Sequence, residues 1–223
     1  MRRFLRDNSL SIVLFGMFLV FFAGMAVTGH RAFNADQKDH GEPTVSFPHY
    51  LKTGHFGEAT FENWESEFLQ MGAYVALTVW LVQRGSAESK SVDDDDDEAA
   101  DEDPADHRDD PEAPWPVRRG GLALGLYKNS LAIAFFVLFF LSWWLHAVTG
   151  AHEFSSEQEA HGGARVTTVG YLRTSQFWFE SLQNWQSEFL AVWSIVVLTI
   201  FLRQQGSPES KPVHAPHTKT GSS

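Results

Sequence analysis

The sequence predicts an all-α membrane protein with four transmembrane helices, built as two tandem, parallel helical hairpins. Three observations predict it: long apolar runs, an internal repeat at a fixed offset, and basic residues gathered at one set of run ends. Residues 9–28 (SLSIVLFGMFLVFFAGMAVT) hold no charge over twenty positions, the length that crosses a hydrocarbon core of about 30 Å. A second run, 130–150, is interrupted only by His146. Shifting the chain by 121 residues aligns 5–90 with 126–211 without a gap, and 36 of those 86 positions are identical. Each repeat crosses twice, so both enter from the same side and are related by an axis along the membrane normal.

The first span follows MRRFLR, a basic start that also suits a secretory signal, with Ala23 and Ala26 loosely placed for cleavage. Its counterpart in the repeat lies mid-chain, where a signal has no meaning, so it reads as a span. Asn8 and Asn129 sit where N-caps belong. VTG, at 27–29 and 148–150, closes spans one and three, with glycine suited to a helix end and threonine able to bond the preceding turn. Spans two and four have shorter charge-free runs, 68–82 and 189–202. Phe61, Trp64, Phe68 and Met71, and likewise Trp178, Leu182, Trp185, Phe189 and Trp193, continue the helical spacing upstream. Helices from near residue 57 to Arg84 and from near 175 to Arg203 would each be roughly 40 Å long.

Between the repeats, taken as 5–90 and 121–211, lies a linker (91–120) containing DDDDDEAADED, which contributes much of the net charge of −11. Such a run repels itself and stays solvated, so the linker reads as a disordered tether; residues 212–223 read as a flexible tail. Arg2, Arg3, Arg6, Arg84, Lys90, Arg118, Arg119, Lys128, Arg203 and Lys211 fall on one side, against Arg31, Lys38, Lys52, Arg165 and Arg173 on the other. Both termini and the linker are therefore expected in the cytoplasm of a cell with an inner membrane. The bilayer is the expected partner. The basic residues are too few for a nucleic-acid surface, and a protein partner or a second copy stays open. Cysteine is absent, which excludes disulfides and thiolate chemistry.

The most pointed motif is NWESEFL (63–69), repeated as NWQSEFL (184–190). By helical rise Glu67 lies about 25 Å and Glu188 about 22 Å from the cytoplasmic border. Asn63 and Asn184 precede them by one turn on the same face. A carboxylate at that depth is expected to face the bundle interior or a wet cavity. His146 arrives at similar depth, where a His–Glu pair suits proton relay or metal binding. In the outer loops QxxHG recurs as Gln37 with His40 and Gln158 with His161, and YLxT recurs at 50–53 and 171–174. No histidine spacing matches a metal motif, so a metal stays open and no cofactor is expected.

Taken together, NSL, VTG, YLxT and NWxSEFL resemble an uncharacterised family of small bacterial integral-membrane proteins, domain-of-unknown-function family 6766. The resemblance covers both repeats and implies a multi-pass inner-membrane protein; it brings no activity and no catalytic residue. Walker, nucleophile-elbow and dinucleotide sequences are missing, so an enzyme is not expected. The reading is a protein that moves or senses protons or cations through Glu67 and Glu188, with a structural or partner-binding subunit as the alternative.

Overall fold

The computed structural model describes residues 2–90 and 103–221. Most of the acidic run, at 91–102, lies outside them. The described residues form no strand. In order they make α1 (Arg2–Asp7), α2 (Ser9–Asp39), α3 (Phe47–Tyr50), α4 (Gly54–Leu77), a 3-10 turn at Pro104–His107, α5 (Trp115–Arg119), α6 (Gly121–Tyr127), α7 (Ser130–Ala160), α8 (Thr168–Tyr171) and α9 (Ser175–Phe201). Of these, α2, α7 and α9 are long and apolar enough to cross a membrane. They leave Leu10, Phe15, Val20 and Phe21, Val137 and Phe140, and Trp193 and Leu198 exposed, apolar area that water disfavours. α4 is not among the three; it ends at Leu77, short of the expected Arg84.

Several motifs acquire a structural explanation. α2 and α7 run ten residues past Gly29 and Gly150, so VTG does not end the helices. The threonines do bond the preceding turn: Thr28 donates to the Gly24 carbonyl and Thr149 to that of Leu145, both at 2.8 Å. The glycines serve close approach instead, since a Cβ on Gly29 would strike the Tyr50 hydroxyl and one on Gly150 would lie 2.5 Å from Tyr171 Cε1. The helices really end at QxxHG. Gly41 (φ 74°) and Gly162 (φ 76°) adopt the left-handed conformation. The Glu42 amide reaches the Gln37 carbonyl and the Gly163 amide that of Gln158, each at 2.7 Å, the six-to-one bond of a Schellman cap. Asn8 and Asn129 do not cap forward either. They donate backward to the Phe4 and Gly125 carbonyls at 2.8 and 2.9 Å, finishing the short helices before them. Thr53 and Thr174, from YLxT, accept from the Phe56 and Phe177 amides at 3.3 Å, which fixes the starts of α4 and α9.

The chain divides into two compact units: 1–60 with 145–173, and 61–144 with 174–223. In the first, Tyr50 and Tyr171 are fully enclosed. Phe33, Phe56 and His30 ring Tyr50 at 5.5–5.6 Å between centroids. Asn34 clamps the connecting loop by exchanging hydrogen bonds with the backbone of Val45, and Ser155 does the same with Val166. Each loop is thereby folded onto the helix it leaves, which holds its tyrosine against the glycine.

The second unit packs Phe177 edge-on against Trp143 at 5.6 Å and Phe139 against Trp185 at 6.0 Å. Its described C-terminal segment gathers around one lysine. Lys211, buried to 1% exposure, donates to the carbonyls of Gly85, His217 and Lys219. Gly221 donates to Ser86 and Thr220 accepts from Gly85, both at 2.9 Å. An ammonium taken out of water needs such acceptors, and the tail supplies them by curling round it. In the described part of the linker lie the 3-10 turn and α5; Asp103 caps that turn by accepting from Ala105.

Candidate functional site

In the first unit a cleft of about 1160 Å³ opens at the C-terminal ends of α2 and α7 and the start of α4. Gln37, His40, Gln158 and His161, the four outer-loop candidates, all line it. Asp36, Glu153 and Glu157 stand among them with His55, His152 and Lys52, so acids outnumber cations. His40 and His161 point Nδ1 at the carbonyls of Asp36 and Glu157, at 3.0 and 2.8 Å. A carbonyl only accepts, so Nδ1 carries the proton and a neutral ring keeps its Nε2 lone pair. His55, ahead of the charge-free run of α4, is held below the ordinary imidazole range by burial, against the charges of Asp36 and Glu157. Its Nδ1 meets the Tyr50 hydroxyl at 3.2 Å, and burial, with the charge of Glu153, pushes that hydroxyl up.

One turn below this cleft, in the same unit, lies a polar group of a half-buried carboxylate and two buried rings. Glu58 follows the cleft residue Gly54 by four positions, and His146 precedes the cleft residue Thr149 by three. The Tyr171 hydroxyl donates to Glu58 Oε1 at 2.9 Å. A ring nitrogen of His146, a residue with no exposure at all, lies within 4.8 Å of a Glu58 carboxylate oxygen. Room for this comes from Gly150, whose Cβ would stand 2.7 Å from that Oε1, and from Gly57, packed on the Thr149 side chain. A carboxylate and an imidazole so placed could pass a proton through one bridging water or share a zinc or copper ion.

The remaining sequence candidates lie in the second unit. Asn63 and Glu67 are exposed on α4, and Glu188 is half-buried on α9. Gln70 donates to the Glu188 carbonyl at 3.2 Å. The Asn184 side chain donates to the Glu180 carbonyl at 3.3 Å. Ser66 and Ser187 turn back to the carbonyls of Asn63 and Asn184 at 2.7 and 2.8 Å.

The buried acids are others: Glu65, with no exposure, accepts from Trp185 Nε1 at 3.3 Å, and Glu180 accepts from Gln176 at 2.6 Å. Sequence reasoning missed these and Glu58 because it searched for what the two repeats share. Their repeat positions hold Gln186, Ala59 and Phe179 instead. A helical count would have found two of them. Gly54, Gly57, Glu58, Phe61, Glu65 and Gly72 recur at helical spacing along one face of α4, the face that small residues let approach a neighbour. Asn63 and Glu67 fall on the opposite face.

No curated protein and no solved structure matches the chain. A family model described as a domain of unknown function, DUF6766, matches residues 1–222, and the chain belongs to that family.

Proposed function

We propose that the chain is a four-span membrane protein of two tandem parallel hairpins, with both termini cytoplasmic, and that it handles protons or small cations at Glu58, Tyr171 and His146 beneath an outward-facing cleft. One observation carries the functional reading: Tyr171 donates to Glu58 beside the fully buried His146. Ionisable groups at membrane depth are costly and mark ion or proton pathways. The acid-rich cleft one turn above would concentrate cations at the entrance. The tandem arrangement is supported by bonds made twice, 121 residues apart. The Gly–Tyr contacts, the Asn34 and Ser155 clamps, the glycine caps and the threonine caps are all such pairs. α4, which holds 68–77 of the charge-free run, would supply the fourth span together with the residues after it, with its acids at the outer end. Glu67 and Glu188 remain the second pair through which a proton could pass.

The test uses purified protein in vesicles loaded with a pH-sensitive dye. Wild type is expected to pass protons or a monovalent cation under an imposed gradient. Glu58→Gln and His146→Gln should abolish the flux while the protein stays monodisperse. Flux that survives both substitutions removes the site from the mechanism. A specific observation also favours the partner-binding alternative: the exposed Asn63 and Glu67 present a polar face on α4, and cross-linking from position 67 to a second polypeptide would support it.

A further inference from the structure

We propose that residues 115–128 form an interfacial anchor that binds the anionic headgroups of the leaflet from which α7 enters the bilayer. This rests on the reading that α7 crosses a membrane. α6 ends at Tyr127 and α7 begins at Ser130, so α6 is tethered to the bilayer surface by a two-residue link. The Asn129 side chain, bonded back to the Gly125 carbonyl at 2.9 Å, stiffens that link.

The two short helices present an inward and an outward apolar side. Val117 and Leu124 are buried, whereas Trp115, Leu122, Leu126 and Tyr127 are 58, 81, 55 and 45% exposed. Leu122 and Leu126 are one turn apart and share a face. Four large apolar side chains facing outward beside a transmembrane entry suit the interface, where aromatic rings settle at headgroup level and aliphatic chains below them.

Charge selects the headgroup. Arg118, Arg119 and Lys128 are exposed, and no acidic residue occurs between Glu112 and Glu153. The Arg119 guanidinium lies over the Trp115 ring, 5.1 Å from its centroid, which keeps the charge at the level of the ring. The Arg108 guanidinium packs against Gly120, where an added Cβ would come within 2.9 Å of its Cζ, and adds a further positive group. Guanidinium forks match the oxygens of a phosphodiester. Charge complementarity and continuity with α7 thus point to an anionic phospholipid.

The absence of cysteine permits a direct test on the full chain. Leu122→Cys carries an environment-sensitive fluorophore, and Val137→Cys, 61% exposed on α7, carries the same one as a control. Protein is reconstituted with brominated phosphatidylglycerol or brominated phosphatidylcholine at equal mole fraction. Both lipids should quench the label at 137. At 122 the anionic lipid should quench more, with an advantage that falls about fivefold for each arginine replaced in Arg118→Gln and Arg119→Gln. It should also vanish in about 1 M salt, where the Debye length shrinks to about 3 Å. Equal quenching by the two lipids at 122, or none, overturns the anchor. An unquenched label at 137 overturns the membrane reading itself.

Discussion

At the scale of single residues, Gly150 decides whether the group of Glu58, Tyr171 and His146 can form. A methyl there would meet Tyr171 Cε1 at 2.5 Å and Glu58 Oε1 at 2.7 Å. Gly150→Ala should therefore cost about 1–3 kcal/mol through overpacking and part Tyr171 from Glu58. Gly16→Ala is the control, because nothing lies within 4 Å of its Cβ. Relieving glycine inside a helix should gain about 0.5–1 kcal/mol. Thermal unfolding in detergent separates them, and equal melting temperatures would contradict the packing described. Glu88 offers a pH-dependent counterpart. Burial raises its carboxyl above the ordinary 4.5, opposed by the hydroxyl of Tyr74 and reinforced by the charge and hydrogen bond of Glu209. A folded-state pKa above the unfolded one gives a contribution that is full below 4.5 and is lost as pH rises through the raised value. Glu88→Gln should thus melt higher than wild type at neutral pH, and the gap should close on acidification. A gap that widens on acidification would reverse the sign and refute this account.

At the scale of elements, the C-terminal segment shows what a linear pattern conceals. Lys211→Met keeps the stem and removes the ammonium, leaving the carbonyls of Gly85, His217 and Lys219 without that donor. The expected loss is about 1–3 kcal/mol, with the bonds near residue 215 becoming open to protease. Unchanged proteolysis would show that the tail is held by something else. Composition makes residues 212–223 read as a tail; in the described part, up to 221, the bonds to Lys211 and Ser86 run through backbone groups, which leave no mark in composition. The long helices were legible, since apolar runs and helical spacing report them directly: α9 begins at Ser175, where the aromatic spacing placed it. Their ends were not, because VTG looks like a terminus until Tyr50 and Tyr171 are seen against its glycines. The site was legible only in part. His146 was marked by being alone in an apolar run, whereas Glu58 was hidden on the small-residue face of α4.

At the scale of the molecule, the proposed topology makes a demand that no single contact makes. If basic residues set orientation, the cleft and the C-terminal segment must face opposite compartments, however well each is folded. Ser156 lines the cleft, and Val213 is 61% exposed in the segment around Lys211. With no native cysteine to interfere, Ser156→Cys and Val213→Cys can each be challenged in intact cells with a reagent that does not cross membranes. The parallel four-span arrangement expects position 156 to label from outside and position 213 only after permeabilisation. Three crossings through α2, α7 and α9 alone would put the chain ends on opposite sides, so a terminal tag then separates the cases. With four spans, a cysteine at Arg3→Cys is protected like the one at 213. With three, the two ends behave oppositely, α4 is not a span, and the acids along its face no longer sit at membrane depth. The labelling at 3 compared with that at 213 therefore decides whether Glu58 stands at the outer end of a membrane-crossing helix, as the proton- and cation-handling proposal requires.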